Sequence, residues 1–230
     1  MSDRQMVVAD LNSLLGAGMT AGTTSLAPLK FTAGTNLTTP AAGAMEYDGS
    51  AFYTTPIASN RGVNLTEHFL SLAATQTATS ANTAQTWFPG GGATGITLAA
   101  TTSYFFEGQL YLANGTTTHT TALLFALSNG LTLTSIAYWA DIAAAVANTP
   151  TAASSTFVNV ATSTVINSTS TAAGAYIAVQ GIVRTNVAGT FSPQFQWSAN
   201  PTGTNQVLLN TWFRMRPIGT NTVLSVGNWA

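Results

Sequence analysis

Ser103-Tyr104-Phe105-Phe106-Glu107-Gly108-Gln109-Leu110-Tyr111-Leu112, with Asn114-Gly115 close behind, reads as a β-strand running into a turn. Outward from it, segments 122–128, 131–139, 157–166, 175–184, 190–197, 206–209 and 211–217 follow the same pattern. Shorter candidates precede it at 68–72, 86–88 and 96–99. Gly, Asn, Pro and Thr turns separate the runs, and at most one short helix is expected, near Asp141–Ala147. Without a regular alternation of helices, a parallel α/β sheet is excluded, and the expectation is an all-β, antiparallel sandwich.

Composition agrees. Of the 230 residues, 46% are hydrophobic and only 6% charged, with a formal net charge of -1, against about 25% charged in an ordinary domain. Thr, Ser, Asn and Gln replace the missing ions, and Thr favours pleated strands. Disorder would couple low hydrophobicity to high net charge, so this chain is expected to fold. Between His68 and Arg184 the only formal charges are Glu107 and Asp141. Near-neutral surfaces associate, which suits a subunit packed against copies of itself. A secreted β-rich domain shares the same bias and is the competing reading of composition alone.

Three segments are expected. In residues 1–26, Ser2 caps a short amphipathic helix whose stripe is Val7, Leu11, Leu14 and Leu15, followed by a Gly-rich arm. The stripe needs a partner, which is the sandwich of its own chain, a symmetry copy or another protein, and these four residues are the expected anchoring contact. Residues 27–66 form a small turn-rich module in which Tyr47-Asp48-Gly49-Ser50 predicts a tight hairpin, and 67–230 form the sandwich. The N-terminus is a poor signal peptide, and runs such as Ile142–Ala147 are too short to cross a bilayer.

No chemistry converges. With no cysteine there is neither a disulfide nor a thiolate site. Seven scattered acids, among them Glu107 and Asp141, do not predict the paired carboxylates of a glycosidase. His68, His119 and Asp141 accompany many serines but no G-x-S-x-G elbow. Gly90-Gly91-Gly92 lacks the lysine of a phosphate loop, and Glu46 with Asp48 reads as turn chemistry rather than a cation site. No cofactor and no metal are expected, and six basic residues make no nucleic-acid footprint. Arg214 and Arg216 share a strand face and are candidates for inter-subunit pairing.

The run APLKFTAGTNLTTPAAGAMEYDGSAFYTTP (27–56), with SNRGV (59–63) and TEHFLSL (66–72), resembles a module of tail-fibre and other virion proteins of tailed bacteriophages. SYFFEGQLYL (103–112), AYIAVQGIVRTNVAGTFSPQFQWSA (175–199) and TWFRMRPIGTNTVLSVGNWA (211–230) resemble the tumour-necrosis-factor-like jelly roll that follows it. The resemblance rests on recurring phrases over 27–230 rather than on a catalytic motif, and it implies a structural role. It implies a non-enzymatic homotrimer on the outer surface of a virion assembled in host cytoplasm, without nucleic acid or membrane as partner. With only 26 residues ahead of the module there is no shaft, so a capsid decoration (cement) protein on the major capsid protein is expected. The alternative is a short tail fibre bound to tail or baseplate proteins, its loop 114–121 meeting a host surface glycan.

Overall fold

The computed structural model describes residues 23–25, 27, 29–57, 60–64, 66–79, 82–90, 94–144 and 152–226. The predicted N-terminal helix and its stripe of Val7, Leu11, Leu14 and Leu15 lie outside these residues. All regular structure described is antiparallel β, and no helix among these residues is long and apolar enough to cross a membrane.

The small module is a three-stranded sheet of β1 (Met45–Tyr47), β2 (Phe52–Ile57) and β3 (Asn60–Asn64). Its first turn forms where Asp-Gly predicted it. Gly49 takes φ +94°, and Asp48 Oδ1 accepts from the backbone N–H of Ser50 and Ala51 at 2.7 and 2.8 Å, the local bonding that makes Asp a turn residue.

The larger part holds two sheets. The strands in chain order are β4 (His68–Ser71), β5 (Gln76–Thr77), β6 (Gln85–Thr86), β7 (Ile96–Leu98), β8 (Thr102–Ala113), β9 (His119–Ser128), β10 (Thr132–Ala144), β11 (Ala152–Val158), β12 (Thr164–Ser170), β13 (Gly174–Val187), β14 (Gly189–Trp197), β15 (Gln206–Val207) and β16 (Trp212–Thr220). The eight-stranded sheet runs β11, β10, β13, β8, then β15 and β16 end to end, then β5 and β4 beside them. The five-stranded sheet runs β12, β9, β14, then β6 and β7. The pairing is nested. β4 and β5 pair with β16 and β15, β6 and β7 with β14, β8 with β13, and β9 with β12. The β10–β11 hairpin is inserted at the innermost turn and adds to the free side of β13.

One core joins the two sheets. Phe106, Tyr138 and Phe213 project from the eight-stranded sheet and Phe125 and Phe191 from the other. Phe125 stacks on Phe191 at 4.6 Å and meets Phe106 and Tyr138 edge-on at 5.2 Å, offset and T-shaped geometries favoured by ring quadrupoles. Alternation therefore located the strands well, with two corrections. The helix expected near Asp141–Ala147 is replaced, as far as the described residues go, by strand through Ala144, because Ile142 is buried and pairs with both Ser154 and Ile177. The run 157–166 is not one strand. It is the end of β11 and the start of β12, which lie in different sheets.

Candidate functional site

Period-two alternation sends one set of side chains on each strand into the core and the other outward. On the five-stranded sheet the outward set of β14 is Thr190, Ser192, Gln194 and Gln196, facing Ser128, Ala126, Leu124 and Ala122 of β9; Ser192 and Ala122 are covered, Val165 of β12 is exposed beside Ala122, and no aromatic side chain stands among them. The eight-stranded sheet is the opposite. Register aligns its outward side chains in rows across the strands. One row is Tyr111, Tyr176 and Ala143. The next is Ser71, Trp212, Gln109, Ala178, Asp141 and Ser155. Then come Phe69, Arg214, Glu107, Gln180, Trp139 and Phe157, and after them Arg216, Phe105, Ile182 and Ala137.

This face is aromatic and open. Phe69, Trp139, Phe157, Tyr176 and Ile182 are 59, 54, 55, 38 and 39% exposed. Together they leave on the order of 500 Å² uncovered, taking ~150–250 Å² per large side chain, spread over rows that also hold Arg214, Glu107 and Gln180 and within the range of the largest, often functional, apolar patch of a monomer. Trp139 and Phe157 meet edge-on at 5.5 Å, and Tyr111 and Tyr176 at 5.3 Å.

Polar groups sit among the rings. Arg214 binds Glu107 through Nε and Nη2, lies 3.6 Å from Glu67, and stands over the Trp212 ring at 5.6 Å. The hydrogen bond to Glu107, ahead of the neighbouring charges, pushes the guanidinium pKa up from its already high value. Arg216 lies 4.7 Å over Phe105 and has no carboxylate partner among the described residues. Gln109 Oε1 accepts from Trp212 Nε1 at 3.1 Å and from the Tyr111 hydroxyl, which fixes the amide plane. Asp141 is exposed and has no hydrogen bond or ion pair to another described residue.

Small Ala178 stands between the tall Tyr111–Tyr176 row and the Gln180–Trp139 row, and a trough results. A depression of about 500 Å³ is lined by Gln109, Tyr111, Asp141, Ser155, Tyr176 and Ala178 among others. It continues into one of about 330 Å³ that adds Glu107, Trp139, Gln180 and Trp212.

The sequence-level candidates fare unequally. Arg214 and Arg216 do share the outer face of β16, but Arg214 is already paired within the chain. Arg184 lies apart from both, donating to Ser103 Oγ and to the carbonyls of Asn221 and Val223. Glu46 pairs with Arg61 at 2.8 Å, while Asp48 serves the turn and accepts from Tyr53 at 2.8 Å, so the two carboxylates have separate partners. His119 is buried, edge-on to Trp197 at 6.3 Å, with Nδ1 2.8 Å from the Thr117 carbonyl. His68 and Asp141 are four strand spacings apart, ~19 Å, so neither histidine joins Asp141. In loop 114–121, Asn114 is buried and Thr116, Thr117 and Thr118 are exposed. No group of three or more His, Asp or Glu among the described residues is placed to hold a metal. Trp139, Tyr176, Gln109 and Ala178 were not singled out from sequence. Their common signal is an outward position that is aromatic or small where a polar residue is usual, and it needs the register to be seen.

No family model matches the chain, and neither a curated protein nor a solved structure does.

Proposed function

We propose that this chain is a non-enzymatic structural subunit of a tailed-phage virion that assembles as a homotrimer and decorates the capsid. The nested strand pairs, first with last inward to β9 with β12, have the order of a jelly roll with one hairpin inserted. The observation that carries the assembly reading is the contrast between the two outer faces, aromatic on one sheet and Thr/Gln/Ser/Ala-rich on the other. A free monomer gains nothing from exposing Phe69, Phe157 and Ile182, whereas a packed copy buries them. The low charge and the phage-like phrases point the same way. Anchoring is assigned to the arm, residues 1–26, through Val7, Leu11, Leu14 and Leu15.

Light scattering of the purified chain tests the assembly. A trimer is expected, and Ile182→Arg, which puts a second positive charge in the row of Arg216 and Phe105, is expected to yield folded monomer. A monodisperse wild-type monomer at micromolar concentration overturns the reading. Binding to undecorated capsids, lost when residues 1–26 are deleted, supports decoration. Binding to isolated tails instead supports the second reading, a short tail fibre, which the exposed threonines 116–118 favour.

A further inference from the structure

The geometry points to a second property of the outer face: we propose that the trough floored by Ala178 binds a neutral saccharide. A sugar ring offers two surfaces, an apolar C–H face and a rim of hydroxyls that both donate and accept, and ligand sites match such molecules with aromatic walls and a few placed polar groups. The trough has this arrangement. Tyr111 and Tyr176 form one wall and Trp139 stands in the other. Asp141 at one end supplies carboxylate oxygens able to take two adjacent hydroxyls. Gln109 stands at the other end, two strand spacings away, ~10 Å between Cα atoms. Because Trp212 and Tyr111 both donate to Gln109 Oε1, its Nε2 donor is held in place without a partner of its own on the face. Preorganisation of this kind lowers the ordering cost of binding.

A second copy of the chain suits this half of the face poorly. Packing protein over Asp141 would bury a carboxylate without a partner, which is strongly unfavourable, whereas a hydroxyl-rich ligand satisfies it. The rows holding Phe69, Phe105, Phe157 and Ile182 carry no unpaired carboxylate, since Glu107 is paired with Arg214, and the Arg216 guanidinium there stands over the Phe105 ring. The ligand is neutral because the trough offers an anion no free cation: Arg214 is committed to Glu107 and Glu67. The site stands independently of the virion reading, since it needs only the face.

The full chain is titrated with maltotriose, cellotriose, chitotriose and mannotriose, followed by the fluorescence of Trp139 and Trp212, with sialyllactose as the anionic control. At least one neutral trisaccharide is expected to bind in the millimolar range or tighter. Ala178→Leu, which fills the trough but removes no hydrogen-bonding group, and Asp141→Asn are each expected to weaken it about tenfold or more, with circular dichroism and oligomeric state unchanged. Retention on beads dense in the same trisaccharide beyond the affinity for free sugar assigns the ligand to a surface glycan. Equal affinity assigns it to a soluble sugar, and both support the site. The proposal is overturned if no neutral trisaccharide binds, if only sialyllactose binds, or if both variants bind as tightly as the parent. It is equally overturned if Ala178→Leu dissociates the oligomer while no saccharide binds, for then the trough is a contact between copies.

Discussion

Tyr138 is 1% exposed, and its hydroxyl has no hydrogen-bond partner among the described residues. A buried hydroxyl without an acceptor costs more than it returns, so Tyr138→Phe is expected to stabilise the fold by about 1 kcal/mol in urea denaturation. The same group makes stability depend on alkali. Burial pushes its pKa up from 10 to about 12, so between those values the unfolded chain gives up the proton and the native chain keeps it. The contribution of Tyr138 is unaffected below pH ~10 and is lost as pH rises toward 12, on the order of 2–3 kcal/mol, beside losses of the same sign from Tyr53 and Tyr104, whose pKa burial also raises. Tyr138→Phe should flatten that part of the profile, and an unchanged slope would refute the assignment. Gly108 faces the core where a Cβ would stand 2.8 Å from Phe213 Cδ2 and the Trp212 carbonyl and 2.9 Å from Trp87 Cζ3. Gly108→Ala is therefore expected to lower stability by about 1–3 kcal/mol through overpacking, although alanine is the commoner strand residue.

At the scale of elements, the corner where β7 hands over to β8 is tied to β13 by one side chain. Thr185, fully buried, accepts from the Thr102 N–H at 3.0 Å and donates to the Ala99 carbonyl at 2.7 Å. Thr185→Val keeps the shape and leaves both backbone groups unpaired, so a loss of about 1–3 kcal/mol is expected, with faster amide exchange at Thr102. Exchange at Thr102 no faster than in the parent would show that water replaces the clasp. Such ties explain how legible the fold was. Strands β8, β13, β14 and β16 were visible because one face is buried and the apolar residues must alternate. The segment after Asp141 was not, since its run of alanines carries helix propensity locally, and pairing with β11 and β13 overrides it. The break between β11 and β12 was hidden because alternation continues while the chain changes sheet. The trough was least legible of all. Tyr111 lies beside Tyr176 only through a register set across 65 residues, and Ala178 means nothing until its tall neighbours are placed.

For the molecule as a whole, the charge distribution decides how assembly should respond to solvent. Six basic and seven acidic residues are spread over 230, and on the aromatic face Arg214 is already neutralised by Glu107 within the chain. The large groups left for a packed copy beside Arg216 are Phe69, Phe105, Phe157 and Ile182, whose burial is driven by removal of apolar surface from water. Salt screens charge–charge attraction and leaves that term intact. If the subunits associate through these rows, the dissociation constant should change less than about threefold between low salt and roughly 0.5 M sodium chloride, and sulfate should tighten the assembly because it is excluded from apolar surface. Sedimentation at both ionic strengths checks this directly. Dissociation on adding sodium chloride would mean that ionic contacts hold the copies together. The unpaired Arg216 and Asp141 would then be the first residues to exchange in search of the contact, and the apolar rows would have to be assigned to a different partner.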